Sequence, residues 1–136
     1  MVRNIIGFIV GLIVGNVVNF ALIMANIALM PSGSDLSTPE GVNAAMENLQ
    51  PLNYAVVFLA HALGTLVGAW VAVLIAVSHK LKIAIFIGAL FLLGGIYAAV
   101  VINAPLWFEA ADILLAYIPF AMLGAKLGGA WKVSEL

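Results

Sequence analysis

The residues best suited to chemistry in this chain lie inside its apolar stretches. His61 begins the run Ala62-Leu63-Gly64-Thr65, and at about 100° per residue it shares a helix face with Tyr54, Gly64, Thr65 and Gly68. Asn19, with Asn16 close by, lies at a comparable depth in an earlier stretch, and Tyr117 does so in the last one. Asn16, Asn19, His61 and Tyr117 therefore form a candidate polar layer. Polar groups cost free energy in lipid unless they meet protein or water, so an ionisable side chain there is a functional candidate by default. Such a layer could bind a proton, an ion or a solute. The plainer alternative is a neutral His61 bonded to Asn19 or Tyr117, gluing helices together at about 0.6 kcal/mol per bond.

Glu109 and Asp112 are three residues apart, on one face near a helix start, where acids are favoured by the positive end of the helix. With Glu40 and Glu47 they form a candidate external acidic rim that could attract cations above His61. Carboxylate oxygens suit hard divalent ions, but this spacing matches no metal motif, and neither metal nor cofactor is expected. The two histidines fall at opposite depths of one helix, so they cannot share a haem iron. There is no cysteine, which removes disulfides and thiolate chemistry. A phosphate loop, His-Glu-x-x-His and Gly-x-Ser-x-Gly are all missing. The serines, at 32, 34, 37, 78 and 134, fall in loops or at an end. The balance is against an enzyme.

The elements that must position these residues follow from composition. Hydrophobic residues make up 65% of the 136 and charged residues only 8%, against about 25% charged in a typical soluble domain. A net charge of -1 argues against a nucleic-acid partner. Crossing a bilayer takes about 20 apolar residues. Four segments qualify, at about 5–29, 52–77, 81–102 and 107–131. The expected fold is all-α: one domain over 1–136, with four transmembrane helices in an antiparallel bundle. The first run is too long for a signal peptide and is read as a retained helix. The turn Ser78-His79-Lys80 is tight enough to make the second and third helices antiparallel neighbours. The external loop, 31–50, should hold a short helix from Pro39 to about Leu49, capped by Thr38 and favoured by Glu40.

Arg3, Lys80, Lys82, Lys126 and Lys132 fall on one side of this arrangement, which the positive-inside rule makes cytoplasmic, with both termini there. Of the acids, only Glu135 shares that side. An inner-membrane location in a bacterium is expected.

Glycines recur at four-residue spacing: Gly7, Gly11 and Gly15, then Gly64 and Gly68, then Gly124 and Gly128. Small residues let helix backbones approach in a membrane, where packing drives association. The stripes serve either one tight bundle or, for the first helix, another copy or a membrane-protein partner. Ala60, Leu66 and Gly68-Ala69-Trp70 recur at identical spacing as Ala121, Leu127 and Gly129-Ala130-Trp131, a candidate duplication of a helical hairpin. Together with His61 to Ala69, the Gly94-Gly95 pair and the link Asn103-Ala104-Pro105-Leu106-Trp107-Phe108, the pattern resembles small uncharacterised four-span proteins of the bacterial inner membrane. That resemblance implies a membrane location and a four-helix fold, and no activity. Two functions stay open. One is an oligomeric transport or channel-like protein using the polar layer; the other is an accessory subunit docking on a larger membrane complex through its glycine stripes. Membrane lipids are partners in both.

Overall fold

The computed structural model describes residues 1–30 and 35–131; the start of the loop expected to be external, together with Lys132 and Glu135 of the charge pattern, lies outside the described residues. The described residues form helices joined by short turns and links, without strands. Six α-helices follow in order: α1 (Val2–Ala28), α2 (Pro39–Met46), α3 (Pro51–Ile75), α4 (Lys80–Val101), α5 (Leu106–Ala111) and α6 (Ile118–Leu127). The first, third and fourth of these, and the run Leu106–Leu127, are each long and apolar enough to cross a membrane.

Local chemistry sets the helix starts. Ser37 donates through its hydroxyl and amide to Asp35, holding that carboxyl below its usual range and shaping the turn into α2. Thr38 then accepts from the Gly41 N–H at 3.1 Å, with Pro39 at the first position and Glu40 in the first turn. In α3, Gln50 and Asn53 cap each other reciprocally and Pro51 follows. Between α3 and α4, His79 adopts the left-handed region (φ 53°), which is uncommon for a residue with a Cβ. Asn4 braces that turn. Its Oδ1 accepts from the Val77 and Ser78 amides and its Nδ2 donates to Ser78 Oγ at 2.8 Å.

The glycines of α1 are buried against α3. A Cβ at Gly7 would stand 2.7 Å from the Ala72 carbonyl oxygen, one at Gly15 2.7 Å from that of Gly64, and one at Gly68 2.8 Å from that of Gly11. Backbone atoms cannot yield as side chains do, so only glycine admits this approach. Gly124 abuts the Leu66 carbonyl and Gly128 the Val73 side chain. Small residues also fill the space among α3, α4 and α6, where Ala69, Val73, Ala84, Ala121 and Ala125 are fully buried.

The last apolar run is not the single helix expected over 107–131. After α5 it widens into one π-helical turn, Asp112–Ala116, and resumes as α6 beyond Tyr117. Pro119 supplies the reason: it has no N–H for the Leu115 carbonyl, and its ring would collide with that carbonyl in a regular helix. The run also stops at Leu127. Gly129 takes a positive φ (81°), the Ala130 N–H donates to Ala125 O, and the Gly129 N–H donates to Lys126 O, the paired bonds of a glycine helix stop. Gly68 and Gly129, which the internal repeat equates, thus do different jobs: one packs mid-helix, the other ends a helix.

Candidate functional site

The π turn decides which side chains meet. Asp112 and Tyr117 bracket it, five residues apart, and both are buried. Tyr117 donates its hydroxyl proton to Asp112 Oδ2 at 2.7 Å. From α3, His61 brings Nδ1 to 2.9 Å from each Asp112 oxygen and 3.0 Å from the Tyr117 hydroxyl. The His61 and Tyr117 rings stack with centroids 5.7 Å apart. A carboxylate only accepts, so Nδ1 carries the proton and donates it to Asp112. Nε2 then makes no hydrogen bond among the described residues. Thr65 donates to the His61 carbonyl one turn along α3, which satisfies its own hydroxyl.

Gly95 makes this cluster fit. A Cβ there would collide with the Tyr117 hydroxyl and ring, whereas one at the neighbouring Gly94 would meet nothing. Against the cluster, Ala62 and Ala116 are fully buried, and Phe58, Phe91 and Phe120 pack on them and on Tyr117. Above it is a cavity of about 260 Å³, with His61, Asp112 and Gly95 among its lining residues. Its walls are mostly apolar, and Val42 and Met46 of α2 also line it. Two bonds tether α2: the Tyr54 hydroxyl donates to the Met46 carbonyl, and the Asn103 amide to Asn43 Oδ1. Asn26 lines the wall formed by α1, where its Oδ1 accepts from Asn53 Nδ2 at 3.0 Å.

The expected polar layer is therefore only partly assembled. His61 and Tyr117 meet, with Asp112 as their common partner in place of an asparagine. Asn19 packs its Cβ against Gly64 and leaves a buried Oδ1 without a partner. Asn16 is exposed on the outer side of α1, donating back to the Leu12 carbonyl. The acidic rim divides likewise. Asp112 is buried in the cluster, Glu109 lines the cavity beside it, and Glu40 and Glu47 stay exposed outside. Among the described residues, no group of three or more His, Cys, Asp or Glu could hold a metal ion.

Pairing of Asp112 with His61 was not legible from spacing alone, although Pro119, seven residues on, marks the irregularity that permits it. Comparison with protein-family models, curated proteins and solved structures finds no match.

Proposed function

We propose that this chain is a small integral membrane protein, its long helices crossing the bilayer in an antiparallel bundle, and that it transports a small solute through the cavity over His61 and Asp112. The carrying observation is the floor of that cavity. A carboxylate, an imidazole and a phenol are gathered at one end of an otherwise apolar chamber, and ionisable groups at such depth are expensive unless they serve a pathway or a partner. Helix glue would need no chamber beside it, and His61 lines that chamber with one ring nitrogen unbonded among the described residues.

The charge pattern supports the orientation. Arg3, Lys80, Lys82 and Lys126 favour a cytoplasmic side opposite α2, so the cavity is loaded from outside. Passage inward requires Phe91 and Phe120, about one turn beyond Gly95 and Tyr117 toward the basic side, to part. The π turn is the element suited to this, because its relaxation to α-helix turns Tyr117 away from Asp112. π turns are frequent where function demands such irregularity.

Two-sided cysteine accessibility tests the reading, and the cysteine-free chain is ready for it. Ala99 lines the cavity. An Ala99→Cys variant should react with a membrane-impermeant thiol reagent from the α2 side and, more slowly, from the opposite side. Reaction from the α2 side alone would contradict transport.

A further inference from the structure

Within the transport reading, on which this step rests, we infer that the cavity takes a small organic monocation: a protonated amine on an apolar body. Three observations lead there. First, among the described residues the titratable groups lining the chamber are His61, Glu109 and Asp112, and neither lysine nor arginine lines it. The lining contributed by α1, α2 and α4 adds no titratable group; Tyr117 is bonded to Asp112 and is not among the lining residues, and Glu40 and Glu47 are exposed and outside the lining. Second, the rest of the lining is apolar apart from Asn26, whose Oδ1 is taken up by Asn53, so the occupant carries one polar end. Third, the volume of about 260 Å³ is that of a site for a small organic molecule and not for a lone ion.

The cluster gives this cation a counter-charge and a competitor. Asp112 already accepts from Tyr117 and from His61 Nδ1–H, and it can balance one positive charge in this low-dielectric setting. That charge is either a second proton, on His61 Nε2, or the ammonium of the ligand. Both together would set two like charges against each other beside Asp112, with only Glu109 of the wall left to offset the second. An arriving ammonium therefore favours loss of the Nε2 proton to water, and protonation of His61 favours release of the amine. Glu109, three residues before Asp112, adds attraction at the cavity wall.

The test uses the purified full-length chain in lipid nanodiscs and three probes of nearly equal size: phenethylammonium, 2-phenylethanol and phenylacetate. Calorimetry should show phenethylammonium binding at least tenfold more tightly than either of the others, and weakening as the pH is lowered. Asp112→Asn should erase the preference of phenethylammonium over 2-phenylethanol. If that variant does not fold, the three-probe comparison on the unaltered chain still decides. Equal binding of amine and alcohol would overturn the monocation inference and leave the cavity reading standing. A preference for phenylacetate would overturn it as well. Binding of none of the three would overturn the inference and the solute-cavity reading together.

Discussion

Tyr117 donates to Asp112 across 2.7 Å although the two stand five residues apart in one helical run. In a regular α-helix that separation turns side chains about 140° away from each other. The π turn removes the offset, since its hydrogen bonds span five residues, and His61 enters the gap from α3. Pro119 is thus a determinant of the site without touching it.

Pro119→Ala restores the N–H that an α-helical Leu115 carbonyl would use. We expect it to let the π turn tighten and to displace Tyr117, moving the ring-nitrogen NMR signals of His61 as far as Tyr117→Phe does. Unchanged His61 signals in Pro119→Ala would show that the proline does not hold the turn.

Gly94 and Gly95 offer a matched pair. Gly95→Ala should lower thermal stability in detergent by about 1–3 kcal/mol, the usual range for forcing extra volume into a packed site. Gly94→Ala should stay within about 0.5 kcal/mol of the parent, as surface changes do. Equal effects would mean that Tyr117 does not rest against α4 as described.

The α1–α3 seam should be equally selective. Gly11→Leu pushes a side chain onto the Gly68 carbonyl and should abolish a monodisperse protein in mild detergent, while Ile13→Leu, on the exposed face of α1, should behave as the parent. Tolerance of leucine at position 11 would contradict the seam.

Four long apolar helices were legible in the sequence because length and hydropathy alone determine them. The buried face of α1 was nearly legible too: Gly7, Gly11, Gly15 and Asn19 continue one four-residue series, and Asn16 falls about 100° off it, which is why it faces outward. Partners across helices were harder. His61 was assigned neighbours by depth, but depth along a regular helix misplaces Asp112 and Tyr117 once a π turn intervenes. No periodicity announces that turn; only Pro119 hints at it.

Topology can be checked with single cysteines. Ser37→Cys should be labelled only from outside the cell, and Lys82→Cys only from the cytoplasm, in keeping with the distribution of basic residues. Labelling of both from one side would break the four-span arrangement.

The central claim is that the His61–Asp112–Tyr117 cluster is the wet floor of a working cavity and not dry glue between helices. Histidine-selective ¹⁵N labelling, with water-exchange NMR in deuterated lipid nanodiscs, addresses it directly, because the chain has two histidines and His79 is exposed. The account predicts that the His61 ring protons exchange with water, more slowly than those of His79 but measurably, and that filling the chamber with Ala99→Trp suppresses the exchange. A His61 ring that exchanges no proton with water in the unaltered, folded protein while His79 does so freely would contradict it.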